Sequence, residues 1–361
     1  MPTFYEFFAG GGMVRAGLGG AWRCLIANDL CEKKARSYIE NWGGEGFVAG
    51  DIHTLSIADV PGRADLAWGS FPCQDLSLAG AGAGLDGQRS GAFWGLWSII
   101  RRLNKERRKP SMIMLENVYG ILTSRDGKDV DAIAQALAEA GYVFGAIVID
   151  AIHFVPQSRP RVFIFAVDET MRLPDATHAW IANPAWHPAA VIRAHNRLSR
   201  KMQVRWRWWN PAVPETVSYT LEDIIETSPQ GVAWHSVEET AKLLASMSDI
   251  NRRKVMMAQA GGTLRVGAVY RRTRDGVVRA MASFAPKCVL TACRDACARP
   301  QAGQAGKPSL SSGENKCALA CSRRARRRDS WACPMIIGCR RVTTMPIIWR
   351  AMASRYLWLD I

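Results

Sequence analysis

The sequence predicts an α/β fold: a mostly parallel sheet with helices on both faces, followed by a smaller domain. Three observations carry this. Short apolar runs alternate with helical stretches over residues 1–168, the pattern of strand–helix–strand units. The glycine-rich and polar segments fall where those apolar runs end, which is where such sheets bind ligands. From about Asp168 the alternation stops and Trp and Pro become frequent.

The elements follow in order. Residues 3–8 form an apolar and aromatic strand that ends in Ala9-Gly10-Gly11-Gly12, and a helical pattern follows. Strands are expected at 23–27, ending at Asn28-Asp29, and at 64–68, ending at Gly69-Ser70-Phe71-Pro72. Further strands are expected at 111–115, ending at Glu116-Asn117, and at 143–149 and 161–167. The clearest helix is 130–140. In the second region, 236–247 has helical periodicity with Glu238, Glu239 and Lys242 on its polar side, and 266–270 reads as a strand entering a basic segment.

Composition bounds the function class. The chain has 361 residues, 48% of them hydrophobic and 22% charged, which fits a globular protein. No apolar run is long enough to span a bilayer, and the N-terminus lacks the basic region of a signal peptide, so a cytoplasmic location is expected. The net charge of +15 suits a polyanionic partner. Most of that excess is local: residues 280–361 hold 14 Lys/Arg and 4 Asp/Glu, a net of +10. Seven of the ten cysteines also lie after Ala280. In a reducing compartment these make no disulfide framework.

Several segments carry candidate chemistry. Phe8-Ala9-Gly10-Gly11-Gly12 joins a strand to a helix, and glycines there allow a tight turn and close approach to a ligand. Asp29, at the next strand end, is placed either to accept ribose hydroxyls or to cap a helix. Asp51-Ile52 offers a polar edge and an apolar face to an adenine, or is a turn aspartate. Pro72-Cys73-Gln74 puts a thiol at a strand end, the position of a nucleophile. The Gly-rich stretch 80–91 follows as a candidate closing loop. Glu116 then offers an acid at the neighbouring strand end, and Arg159 and Arg161 begin the last strand.

Taken in order, 8–12, Asp29, Asp51, Pro72-Cys73-Gln74, Glu116-Asn117-Val118 and 157–161 resemble the DNA (cytosine-5)-methyltransferase family across residues 3–168. Six motifs in sequence are specific where each alone is not. Amino-directed methyltransferases carry an Asp/Asn/Ser-Pro-Pro-aromatic motif, and none stands at this strand end. The resemblance implies a Rossmann-like S-adenosylmethionine-dependent methyltransferase fold: a catalytic domain over 1–168 and a target-recognition region over 169–279.

It also implies roles. Cys73 adds to carbon 6 of a flipped cytosine, Glu116 engages N3, Arg161 contacts O2, and Arg159 supports the site. Phe8, Gly10, Gly12 and Pro72 line the cofactor S-adenosylmethionine, Asp29 holds its ribose, and Asp51 and Ile52 meet its adenine. The implied partner of a monomeric enzyme is double-stranded DNA, in a bacterial or phage modification system with a companion restriction endonuclease. Transfer RNA cytosine methyltransferases share these motifs, and the Trp-rich second region favours DNA. Met13 and His153 depart from the usual residues without touching this chemistry.

The tail departs further. The family ends on a motif containing a tyrosine and Gly-Asp/Asn-x-Val, which completes the cofactor wall, and 345–361 lacks it. Joining the third base of each codon to the first two of the next, 345–361 is compatible with AYHLAGDGVAVPVVRH and 330–338 with MGLPDDYR. Four residues of this reading are forced by the code: Trp331/Ala332 gives Gly, Met335/Ile336 Asp, Met345/Pro346 Ala and Met352/Ala353 Gly. We read residues 280–361 as the product of a frameshift near 275–281, poorly ordered, in a chain that is catalytically impaired if the wall is essential. Cys293/Cys297 and Cys317/Cys321 are then not assigned to zinc, nor 323–328 to nucleic acid.

Overall fold

The computed structural model describes residues 1–72, 91–214, 220–224, 235–260, 265–274, 277–283, 288–289 and 317–318. Strand β1 (Thr3–Phe7) lies inside the sheet, with Phe4, Tyr5 and Phe7 fully buried. Its near-continuous apolar run suits a strand covered on both faces. Helix α1 (Met13–Leu18) leads to β2 (Arg23–Asp29), α2 (Glu32–Trp42) and the short β3 (Phe47–Ala49). Then come β4 (Leu66–Gly69), α3 (Ala92–Lys105), β5 (Met112–Val118), α4 (Lys128–Glu139), β6 (Tyr142–Asp150), β7 (Gln157–Ser158) and β8 (Pro160–Asp168).

Seven strands make one sheet in the order β3-β2-β1-β4-β5-β8-β6. Only β8 runs against its neighbours. The six expected strands are all present, with ends shifted by up to three residues, and β3 is the one strand of this sheet that the periodicity did not disclose. The long helices cover the sheet with apolar stripes. Helix α3 buries Phe93, Leu96, Ile100 and Leu103, and α4 buries Val130, Ile133, Ala134 and Leu137, both at helical spacing. Asp129 and Asp131 in the first turn of α4 and Arg102 and Lys105 in the last turn of α3 match the helix dipoles.

Strand order reverses at β1. From there β2 and β3 lie to one side and β4 and β5 to the other. Right-handed crossovers then place the connecting helices on opposite faces, leaving a crevice outside the carboxyl ends of β1 and β4. The glycine turn follows β1, and Pro72-Cys73 follows β4.

The chain divides into two compact units, and the division differs from the boundary expected at 168/169. Met1–Asp150 and Pro160–Glu215 belong to one unit; Ala151–Arg159 and Thr216–Val342 form the other. The reason is packing. After β8 the chain forms β9 (His178–Ala179), α5 (Ala189–Arg197), α6 (Arg200–Arg205) and β10 (Trp208–Trp209). The Trp209 indole donates to Phe165 O at 2.9 Å, Arg207 N to Phe144 O at 2.7 Å, and Trp206 meets Phe144 edge-on. Trp206 and Trp209 are 6% and 3% exposed. The Trp-rich stretch is therefore core of the sheet-bearing unit, and composition alone misplaced it.

The second unit holds α7 (Leu221–Ile224), α8 (Val237–Ala245) and α9 (Asp249–Ala260). It also holds β11 (Arg265–Val266), β12 (Ala268–Arg274), β13 (Val277–Ser283), β14 (Cys288–Val289) and β15 (Cys317–Ala318). Helix α8 begins with a capping box: Glu239 N donates to Ser236 Oγ at 3.1 Å, and Ser236 N to Glu239 Oε2 at 3.0 Å. Leu243, Met247 and Val255 form its small core. Strands β12 and β13 pair antiparallel, so β13 runs across the expected 279/280 boundary. Of the tail expected to be poorly ordered, only the end of β13, β14 and β15 are described; the rest, with Cys293, Cys297, Cys321 and 323–328, lies outside the described residues.

Candidate active site

The turn after β1 is built from backbone conformations that side chains disfavour. Phe8, Gly10 and Gly12 all have positive φ (60°, 60° and 79°). Ala9 N donates to Asn28 O, and Gly12 N to Ala9 O, both at 2.9 Å. Asp29 Oδ2 accepts Gly10 N at 2.9 Å, and Trp42 Nε1 donates to Gly11 O at 3.2 Å. Gly12 is required twice over, because a Cβ there would overlap the Trp42 indole. At Gly10 a Cβ would meet nothing within 4 Å among the described residues.

Asp29 is nearly buried, and its Oδ1 accepts Cys31 N at 2.8 Å where α2 begins. Each carboxylate oxygen keeps acceptor capacity for a further donor. Lys34 lies 3.6 Å from Oδ2. Asp51 ties its own turn, accepting His53 N on Oδ1 at 2.9 Å, while Asn28 Nδ2 donates to Val48 O and Gly50 O. Ile52 is buried beneath Gly95 of α3, where a Cβ would crowd it. The carboxyl ends of β1 and β2 and the segment after β3 thus bring Phe8, Gly10, Gly12, Asp29, Asp51 and Ile52 to one edge of the sheet.

Pro72 is exposed at the end of the segment that follows β4. Cys73 and the 80–91 loop lie outside the described residues, apart from Gly91 itself, which precedes α3. What leads to Cys73 is described: Asn117 Nδ2, buried, donates to Phe71 O at 3.2 Å. Asn117 therefore ties the chain two residues before Cys73 to β5. On the same strand Glu116 is paired with Arg161, Oε1 to Nε at 3.1 Å, both side chains largely buried. The antiparallel register of β5 and β8 makes this possible by setting Val118 opposite Arg161. Arg161 Nη1 also donates to Pro160 O at 2.9 Å. Arg159 belongs to the second unit, where its carbonyl accepts Ala151 N.

Three residues near these segments received no role from the sequence. Glu6 stands inside β1 at 1% exposure. Its Oε1 accepts Val14 N at 3.2 Å, and its Oε2 has no hydrogen-bond partner among the described residues. Burial pushes its carboxyl up to about 8, against the weaker downward pull of the Val14 and Arg15 amides. An acid inside an apolar strand was the signal available for it. Asn117 was visible only as part of a motif. Trp42 left no signal, being 30 residues from the turn it touches.

A parallel-sheet crevice with a glycine turn, an acid at the next strand end and a buried carboxylate–guanidinium pair defines a Rossmann-like methyltransferase fold. The family model for C-5 cytosine-specific DNA methylase matches residues 2–275, and the chain belongs to that family. It is 32% identical over 168 residues to the Type II methyltransferase M.NlaX of Neisseria lactamica, covering 45% of this chain and 51% of that protein. It is 31% identical over 263 residues to M.BsuFI of Bacillus subtilis, covering 72% and 60%. The chain thus spans between half and two thirds of these relatives. The solved methyltransferase EhMeth of Entamoeba histolytica matches 98% of this chain and 93% of its own at 13% identity, TM-score 0.54, a likeness of fold alone.

Proposed function

We propose that this protein methylates carbon 5 of cytosine in double-stranded DNA, within a Type II modification system in the cytoplasm beside a companion endonuclease, acting as a monomer. The observation that carries the reading is the Glu116–Arg161 pair, held on the strand next to the one that leads to Pro72-Cys73.

Cys73 as thiolate adds to carbon 6 of the flipped base, leaving an electron-rich carbon 5. Glu116, once it has taken up a proton from solvent, hydrogen-bonds or protonates N3, which draws electrons toward that edge as the bond forms. Arg161 contacts O2, and Arg159 supports the site. Loss of the carbon-5 proton to a base then expels Cys73 and restores the ring. S-adenosylmethionine supplies an electrophilic methyl group. The residues present fit it: Gly10 has room for a Cβ among the described residues, Phe8 and Gly12 shape the turn, Asp29 retains acceptor capacity for ribose hydroxyls, and Asp51, Ile52 and Pro72 border the adenine end.

The family match ends at 275, inside the interval 275–281 where the alternative frame begins. This favours a second reading, an impaired member that lost its C-terminal cofactor wall to a frameshift. Transfer of labelled methyl from S-adenosylmethionine tests both. The protein as given, a restored-frame version and Cys73→Ala are compared on duplex DNA and on transfer RNA. Incorporation into DNA by the given chain, abolished in Cys73→Ala, supports an active enzyme. Activity in the restored-frame version alone supports the impaired member. Incorporation into transfer RNA alone overturns the DNA assignment. The nucleotide sequence of the gene decides the frameshift directly.

A further inference from the structure

Gly10, Gly11 and Gly12 form the most permissive backbone in the chain, and nothing in their own covalent structure fixes their peptide planes. A turn that bound its ligand through such a segment would first have to be populated in the right geometry, and the apparent affinity would fall with that population. Three bonds limit this freedom. Asp29 holds Gly10 N and Ala9 O holds Gly12 N. The plane between Gly11 and Gly12 is held on both sides: its N–H by Ala9 O, and its carbonyl by the side chain of Trp42, whose indole N–H donates to Gly11 O.

Trp42 is itself held. It is the last residue of α2, and its ring lies against the absent side chain of Gly12. The Arg15 guanidinium sits 5.2 Å from its ring centroid and donates to the Tyr38 hydroxyl at 3.1 Å. Arg15 belongs to α1, so one side chain from each flanking helix braces the ring.

We infer that Trp42 is a positioning residue for the methyl donor: it acts through Gly11 by fixing the carbonyl side of the 11–12 peptide plane, together with the Ala9 bond to its N–H, before the ligand arrives. The inference rests on the reading of this turn as the cofactor cradle. A phenylalanine at the same place keeps the ring contact with Gly12 and Arg15 but has no donor. One lost hydrogen bond of ordinary strength corresponds to roughly a 3- to 10-fold change in an equilibrium constant.

The experiment has two arms on the full chain and its restored-frame version. In the first, amide hydrogen exchange of the peptide spanning 8–16 is compared between wild type and Trp42→Phe without ligand. Exchange is expected to rise about 3- to 10-fold there while peptides of β5 and α4 are unchanged; equal exchange overturns the inference. In the second, calorimetry measures the Kd for S-adenosylhomocysteine. Trp42→Phe is expected to weaken it about 3- to 10-fold, with KM for S-adenosylmethionine rising alike and kcat unchanged. Tyr38→Phe removes the neighbouring Arg15–Tyr38 bond without touching the turn, so it lowers Tm and leaves Kd within about twofold. If both variants raise Kd in proportion to their loss of Tm, Trp42 is merely structural and the inference fails. Should Trp42→Phe be too unstable to purify, Trp42→His, which retains a ring N–H, is read in the same two arms against Trp42→Leu. Faster exchange in Trp42→Phe than in a wild type that does not bind the ligand would uphold the clamp and refute the cofactor reading.

Discussion

Replacing Glu6 by glutamine should change how stability depends on pH. The side chain is fully buried, with Val14 N on one oxygen and no hydrogen-bond partner on the other among the described residues. Its carboxyl is pushed from about 4.5 to about 8 by burial. The folded state thus holds a proton that the unfolded chain releases. For a group with a raised folded value, the stabilisation is complete below about 4.5 and is lost as pH rises through about 8. Inside that window the slope is at most about 1.4 kcal/mol per pH unit. Glu6→Gln removes this term and keeps the shape. Guanidinium unfolding of both proteins at pH 5.5, 6.5, 7.5 and 8.5 should show the variant gaining on wild type by up to about 1.4 kcal/mol per unit, flattening above pH 8. A difference independent of pH would refute the assignment of a buried neutral acid. A difference of opposite slope would mean that Glu6 is an ionised, partnered carboxylate.

Gly12→Ala should abolish S-adenosylhomocysteine binding in calorimetry, because the new methyl overlaps the Trp42 indole at a backbone φ of 79°; unimpaired binding would mean the turn can move. Asn117→Ala should lower kcat by about tenfold with the cofactor KM unchanged, because the Phe71 carbonyl before Pro72-Cys73 loses its donor; a change in KM alone would count against it. Glu116→Gln and Arg161→Met should each lower kcat by at least about 100-fold, and the double variant by far less than the product, because the two act as one pair. Multiplicative losses would argue for independent roles. Gly127→Ala should lower Tm by several degrees, since the Arg197 guanidinium occupies the space of a Cβ and donates to Gly127 O at 2.8 Å; an unchanged Tm would show that Arg197 yields freely.

The strands were legible because their apolar runs are buried on both faces and bounded by Gly, Asn and Asp, so local pattern and final environment agree. The small β3 was not, because its three residues carry no period. Glu116 and Arg161 were each readable as candidates, yet nothing 45 residues apart in sequence states that they touch; the β5–β8 register does.

What the sequence by itself determined is the order of its motifs, the alternation that makes a parallel sheet, and the change of character after about residue 278. These are local or one-dimensional properties, and any reading of the chain recovers them. The tertiary structure decided the rest. It moved the Trp-rich stretch from a recognition domain into the core, because burial depends on what an indole meets and not on its neighbours in sequence. It brought Trp42 onto Gly11 and Asn117 onto Phe71, since contacts closed by sheet order and helix packing have no trace in local spacing.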